Sequence, residues 1–326
     1  MIGAARAIGE RIFQASALFS FSIGITALRR QDTNCAISQT EVSARLSPPE
    51  PRRSSPSRRR LHRGGPPLLI YEFQREREKM PVSEIDRPIV PHKAELALRA
   101  VRRNGVKTFA DLGGCWGVNG GYTYFLADNT DIQHGYILDQ YITKLTRERG
   151  SRYTNITLLG DRVFNDRALI GEFPKVDALI MYDILLHQVN LNWDEFITAW
   201  AKRTNTLIIY NQMWSLHANT VRFIDFGREW YKKWVPYPNT QFTDDWFDNL
   251  EAIDPSTQRR RRDTHLFWQW GITRNDLIKH VESLGFRLQY FEDYGPVEAE
   301  FPWVPLQGFI FTREAEVSQA SLSAQE

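Results

Sequence analysis

From about residue 90 onward, short apolar runs alternate with amphipathic stretches, and this rhythm limits the chain to few folds. The runs are 108–112, 135–138, 156–159, 176–186 and 207–210. Helical patterns occupy 92–103, 122–127, 141–149 and 194–202, the first stopped by Asn104-Gly105. Strands that read as nearly continuous apolar segments, with a helix between each pair, predict crossover connections and a parallel sheet covered on both faces. A last helix is expected over 273–285, ended at Leu284-Gly285-Phe286. The two strands after it, 287–291 and 309–312, have no helix between them and so should pair antiparallel at one edge. The expectation is an α/β fold: a doubly wound, mostly parallel seven-stranded sheet with a C-terminal antiparallel hairpin.

One segment breaks the rhythm. Residues 213–272, after strand five, hold six of the ten tryptophans: Trp214, Trp230, Trp234, Trp246, Trp268 and Trp270. A structureless loop of that length is improbable in a compact domain. Helical patterns at 220–234 and 244–250 predict a helical, Trp-rich cap over the carboxyl ends of the strands, where open α/β sheets bind ligands. Most of these aromatics should pack a satellite core, with two or three left to line a cavity.

The charge is unevenly spread. Residues 1–67 contain eleven arginines and four acids, net +7, whereas the rest of the chain is net −5. Residues 47–67 combine Pro, Ser, Gly and Arg with a single leucine, too little apolar surface to offset ~1–2 kcal/mol of backbone entropy per ordered residue. Residues 1–79 are therefore read as a disordered basic extension, 80–313 as the folded domain and 314–326 as a disordered tail. Three readings of the extension stay open: a targeting presequence around the apolar stretch 12–28, a basic arm, or translation starting at Met80. Only two cysteines, Cys35 and Cys115, are present, which excludes a disulfide scaffold and favours a reducing, cytoplasmic setting. No apolar run reaches ~18 residues uninterrupted, so the folded domain is expected to have no membrane span.

The most informative string is Asp111-Leu-Gly-Gly-Cys-Trp-Gly-Val-Asn-Gly-Gly121. An acid closes a strand, and glycines then let the backbone approach a ligand before the next helix. No two of these glycines are separated by a single residue, so the dinucleotide fingerprint fails. A phosphate-binding loop fails too, because no Gly-Lys-Ser/Thr follows. The string resembles the first motif of class I S-adenosylmethionine-dependent methyltransferases, D/E-x-G-x-G-x-G. Asp111, Gly113 and Gly117 match, and Cys115 replaces the middle glycine. The resemblance covers about 200 residues, from Thr108 to Arg313. It implies S-adenosylmethionine as cofactor, with Asp139 on the ribose hydroxyls, Asp161 at the adenine amino group, and Tyr182 and Asp183 beside the methionine part. It also implies the terminal strand pair. A sulfonium cation and an α-amino group both favour carboxylates in a partly dry cleft, and a carboxylate accepts well from a ribose diol.

A nucleophile of high pKa would need a base. His187, four residues after Asp183, is preferred as the catalytic residue, with His217 and His265 as runners-up. His187 packed as a structural residue is the competing expectation. The acidic folded part and the absence of an Asn/Asp-Pro-Pro-Tyr/Phe string argue against nucleic acid. The four arginines at 259–262 are expected to be solvated. A small-molecule substrate is expected, no metal site is evident, and a non-catalytic binding protein of the same fold is the alternative. The glycine spacing disfavours a nicotinamide-dependent oxidoreductase.

Overall fold

The structure is a computed structural model, and it describes residues 86–160, 164–236, 246–255, 258–265 and 267–313. Strand β1 (Thr108–Leu112) lies at the centre of the sheet. Parallel partners flank it: β2 (His134–Leu138) then β3 (Ile156–Leu159) on one side, β4 (Val176–Tyr182) then β5 (Thr204–Gln212) on the other. The two-residue ribbon of β6 (Val221–Arg222) and β7 (Trp270–Gly271) stands apart from this sheet. At the far edge β8 (Phe286–Pro296) runs antiparallel to β9 (Pro305–Arg313), which inserts antiparallel against β5. The sheet has the order β3-β2-β1-β4-β5-β9-β8, and its seven strands with an antiparallel pair at one edge are what the chain's rhythm predicts.

The continuous apolar reading of the strands has a simple cause: both faces are covered. On β4, Ala178 and Ile180 point into one core while Leu179 and Met181 point into the other; on β5, Ile208 and Tyr210 oppose Leu207 and Ile209 in the same way. The first face is packed by α1 (Pro91–Asn104), through Leu96, Ala97, Ala100 and Val101, and by Leu126 of α2 (Gly121–Asn129). On the second lie α4 (Arg167–Glu172), α5 (Trp193–Trp200) and α7 (Arg274–Ser283), following the short α3 (Lys144–Gly150). Local signals set the ends of these helices. Gly105 closes α1 in the left-handed region at φ 61°, its N–H bonded to the Val101 carbonyl. Asn192 and Glu195 form a capping box on α5.

Three expectations need correction. Strand four does not run to residue 186. It ends at Tyr182, the chain turns at Asp183 (φ 53°), and Leu185–His187 form a 3-10 turn. Its apolar residues continue because Leu185 and Leu186 are buried in the turn that follows, Leu185 in the core on the second face of the sheet, not because the strand does. The helix expected from Tyr141 starts at Lys144, since the Thr143 side chain accepts from the Thr146 N–H and caps it there. The cap is not mainly helical. Within 220–234 the chain forms β6, a 3-10 turn at Phe223–Phe226, a break at Gly227 (φ 84°) and only then α6 (Arg228–Trp234). Of the segment 244–250, residues 246–248 are helical and 244–245 lie outside the described residues.

The tryptophans of this segment pack mostly with one another. Trp214, Phe223, Tyr231, Val235, Phe267 and Val304 are buried together, with Trp230, Trp234, Trp246, Trp268 and Trp303 against them. Val304 and Trp303 come from the β8–β9 connection, so the hairpin tip completes the cap. The extension 1–79 and the tail 314–326 lie outside the described residues. Among the described residues no helix is long and apolar enough to cross a membrane.

Trp200 joins the second face to the loop before α4. It is fully buried, meets Phe173 edge-on at 5.2 Å, and donates from Nε1 to the Phe164 carbonyl at 2.9 Å. Trp200→Ala should cost ~3–5 kcal/mol in equilibrium denaturant unfolding. A loss below ~1 kcal/mol, the range of surface substitutions, would contradict this packing.

Candidate functional site

The loop after β1 is held by its own backbone. Gly113 (φ 76°) donates to the Leu138 carbonyl at 2.7 Å, Asn119 N–H to Cys115 O at 3.0 Å, and Gly120 N–H to Gly114 O at 3.0 Å. Asp111, 2% exposed, lies directly beneath it and accepts from Thr123 Oγ1 at 2.9 Å. A Cβ on Gly114 would stand 2.5 Å from Asp111 Oδ2, so this position must be glycine for the acid to sit where it does. Gly117 adopts φ 73°. Cys115, which replaces a motif glycine, turns its side chain inward against Tyr124, Ile137 and Ile142 with Thr146 Oγ1 at 3.6 Å, so the outer face of the loop stays free of it.

Carboxylates stand at three consecutive positions along the carboxyl edge of the sheet. Asp139, after β2, accepts from Cys115 N–H at 3.0 Å on Oδ2 and from Tyr141 N–H at 3.1 Å on Oδ1. Each oxygen keeps lone pairs for a further donor. Asp183, after β4, donates its N–H to the Tyr210 carbonyl at 2.8 Å and is ion-paired through Oδ2 with Lys93; its Oδ1 has no partner among the described residues. Tyr182 sends its hydroxyl to the Lys93 carbonyl at 2.8 Å and meets Tyr122 edge-on. Burial raises the pKa of all three acids, that of Asp111 to about 7. Asp161, the fourth expected acid, lies outside the described residues.

His187 is fixed by the cap. Its Nδ1 is 2.8 Å from the Phe267 carbonyl; a carbonyl only accepts, so Nδ1 carries the proton and Nε2 the lone pair. Burial pushes its pKa down to about 4, so the ring is neutral at pH 7. His265 lies against the same turn, with Nδ1 3.0 Å from the His187 carbonyl and Nε2 facing Arg259 (3.2 Å) and Asn165 (3.4 Å). His217 belongs to the cap core. Trp214 Nε1 donates to its Nδ1 at 2.8 Å, and its ring stacks on Trp214 and Phe226. That uses its lone pair and removes it from the candidates for a base.

Two groups of residues escaped the sequence reading. Residues 86–93 cross the glycine loop: Arg87 N–H donates to Gly117 O at 2.9 Å, its guanidinium lies 5.5 Å from the exposed Trp116 ring, and Val90 N–H donates to Tyr122 Oη at 3.1 Å. Lys93 then reaches Asp183. The arginines at 259–262, expected to be solvated, form an ion-pair network that ties the cap together. Arg260 pairs with Glu251 (3.1 Å), and Arg262 with Glu251 (2.7 Å) and Asp225.

No protein-family model matches the chain, and no curated protein matches it. Solved structures similar to it include the mitomycin 7-O-methyltransferase MmcR, 13% identical over 68% of this chain and 53% of that one, with a TM-score of 0.40. The N-terminal domain of EvdMO1, in the presence of SAH and D-fucose, is 14% identical over 78% of this chain and 100% of that one, TM-score 0.44. Magnesium protoporphyrin IX methyltransferase from Synechocystis PCC 6803, with bound SAH, is 12% identical over 75% and 95%, TM-score 0.42. The chain spans about half the length of the mitomycin enzyme. With these TM-scores below 0.5, the fold rests on the observed strand order and the site on its own residues. The terminal antiparallel strand pair that the resemblance implied is present as β8 and β9.

Asp111 and His187 pull stability in opposite directions. Between about pH 4 and 7 folded Asp111 holds a proton that the unfolded chain has released, so stability falls as pH rises, by ~1.4 kcal/mol per unit. Asp139 and Asp183 act in the same sense. Between about pH 4 and 6.5 the unfolded chain holds a proton that folded His187 has lost, so its contribution rises with pH. In urea titrations, Asp111→Asn should flatten the decline between pH 4 and 7, and His187→Gln should steepen it below pH 6.5. Profiles parallel to that of the unaltered protein would contradict both assignments.

Proposed function

We propose that the chain is an S-adenosylmethionine-dependent methyltransferase acting on a small-molecule nucleophile. The observation that carries this reading is the row of three acids, Asp111, Asp139 and Asp183, closing β1, β2 and β4 around a loop whose glycine at 114 is sterically required. The site fits the cofactor by its own chemistry. Asp139 offers free lone pairs on both oxygens to a diol, Asp183 Oδ1 lacks a donor, and no lysine or serine cradle for phosphate is present in the loop. Bound there, the cofactor would supply an electrophilic methyl group on a sulfonium sulfur.

The chain's own residues do the rest. The left-handed turn at Gly113 and the loop's internal hydrogen bonds keep backbone close to the nucleoside, and Asp139 orients the ribose. Asp161 is proposed at the adenine amino group. His187 Nε2 accepts the nucleophile's proton while the Phe267 carbonyl holds the tautomer. A base with so low a proton affinity suits an acidic hydroxyl better than an aliphatic alcohol. The cap, anchored by Gln269 N–H on Leu186 O and Trp270 Nε1 on Gln188 O, covers the substrate and excludes water. The acidic charge of the folded part speaks against nucleic acid as substrate. A free, buried Cys115 supports a cytoplasmic setting, and residues 80–313 are proposed as the catalytic domain, flanked by the extension and tail.

One observation favours the alternative, a non-catalytic cofactor-binding protein: the same burial that keeps His187 neutral makes it a weak base. Calorimetry on the full chain should show micromolar binding of S-adenosylhomocysteine, and Asp139→Ala should weaken it at least ~10-fold, the loss of one or two charge-assisted hydrogen bonds. Labelled cofactor with a metabolite extract should yield a methylated product, lost in His187→Ala while binding persists. Binding without product would favour the alternative, and a folded protein without binding would refute both.

A further inference from the structure

The amino-terminal edge of the sheet, opposite the row of acids, carries charge of the other sign. A cavity of about 720 Å³ opens there between the end of α1, the starts of β4 and β5 and the end of β9. Four cations line it, Lys175, Lys202, Arg203 and Arg313, and no described acid does. Topology assembles them from distant parts of the chain. Lys175 and Arg203 immediately precede Val176 and Thr204, which are partners in the β4–β5 pair, and Arg313 follows Thr312, the partner of Thr206 across β5 and β9.

Basic residues at this edge have an ordinary task, because the helices that cover the sheet end here with unpaired carbonyls. Arg313 performs it, donating from Nη1 to the Leu284 carbonyl and from Nη2 to the Ala201 carbonyl, each at 2.9 Å. Arg203 likewise donates from Nη2 to the Gly171 carbonyl. That task leaves much of the charge unused. Lys175 and Lys202 are exposed, and none of the four cations pairs with a carboxylate among the described residues. Asp177, the acid nearest Lys175 along the chain, is committed elsewhere. Its Oδ2 accepts from the Lys107 and Thr108 N–H groups, each at 2.8 Å, and from Thr108 Oγ1 at 3.0 Å. Two further donors in the wall, Arg203 Nε and Asn104 Nδ2, are shielded from water and have no acceptor among the described residues. A buried donor in that state carries a cost that an acceptor relieves.

We propose that this cavity is a second binding site, for a small molecule bearing more than one phosphate group, with Lys175, Lys202 and Arg203 donating to the phosphate oxygens. Ammonium and guanidinium groups supply donors and no acceptors, and a phosphate at neutral pH offers mainly acceptors. Several uncompensated cations call for a polyanion, since a single carboxylate would leave most of them unpaired. The volume falls within the ~300–1,000 Å³ of small-molecule sites. A long nucleic acid fits less well: the chain beyond residue 67 is net −5, and a strand leaving the cavity would run against that charge. Because the cavity lies at the edge opposite the acids, it stands independently of the methyltransferase reading.

The test is calorimetry on the full chain at ~0.15 M salt with three probes: inorganic pyrophosphate, acetate, and a single-stranded oligonucleotide of about eight nucleotides. Pyrophosphate has no base, so it does not report on the nucleoside site. It should bind at about 0.1 mM or tighter, and acetate should give no binding heat at the same concentrations. Lys175→Met and Lys202→Met should each weaken pyrophosphate about tenfold, the scale of one charge-assisted hydrogen bond, without moving the urea unfolding midpoint. Lys202→Arg, which keeps the charge, should retain most of the affinity. Residues 1–67 carry eleven arginines, so dependence on these two lysines, and not binding alone, decides the site. Absent pyrophosphate binding, or equal binding in the unaltered protein and both lysine-to-methionine variants, would overturn the proposal. An oligonucleotide that binds more tightly than pyrophosphate and weakens in the same variants would overturn it in favour of a nucleic-acid surface.

Discussion

Negative charge gathered at a dry edge of a sheet is the constraint around which this molecule is arranged. Parallel strands end together, so residues that close β1, β2 and β4 are brought side by side whatever their distance in sequence. Acids so placed lose hydration and drift toward their neutral forms. The chain counters this with separate devices: the Thr123 hydroxyl on Asp111, two backbone N–H groups on Asp139, and the Lys93 ammonium on Asp183. Asp139 and Asp183 keep acceptor capacity unused, and on the proposed reading that capacity is what a cationic, diol-bearing ligand would meet.

The cap answers to the same edge. Its contacts to the sheet concentrate on the turn after β4, where Phe267, Gln269 and Trp270 bond residues 186–188. The turn that carries His187 is thus shaped as much by the cap as by β4. This couples two properties that can conflict. Enclosure fixes the tautomer and excludes water, and it also lowers the proton affinity of the imidazole. On the proposed reading, a substrate matched to this site would bring an acidic nucleophile or rely mainly on positioning.

Much of the fold was legible because burial on two faces leaves a plain signature, as in the unbroken, fully buried apolar run from Ala178 to Met181. The same signature misled at its end. Leu185 and Leu186 are apolar because both are buried beyond the strand end, Leu185 in the core on the second face of the sheet and Leu186 in the turn that Gln269 of the cap bonds. Sequence does not distinguish burial in a turn from burial in a strand. Asp111, Asp139 and Asp183 were readable from their place after apolar runs. Lys93 was not, since an amphipathic pattern does not tell which polar residue of a first helical turn will face a strand 90 positions away. The arginines at 259–262 were misjudged for a similar reason. Asp225, which pairs with Arg262, is 37 residues distant, and no local pattern joins them. In the cap, Gly227 and the short β6–β7 ribbon interrupt what reads as a helix, because tertiary packing of Phe223 and Trp214 overrides local propensity.

The most direct test of the central claim is a crystal structure of the full chain soaked with S-adenosylhomocysteine. The account predicts the nucleoside across the carboxyl ends of β1, β2 and β4, its ribose on the Asp139 carboxylate and its backbone neighbours drawn from residues 113–117. Density for the ligand elsewhere, or an empty cleft with Asp139 turned toward bulk water, would contradict it.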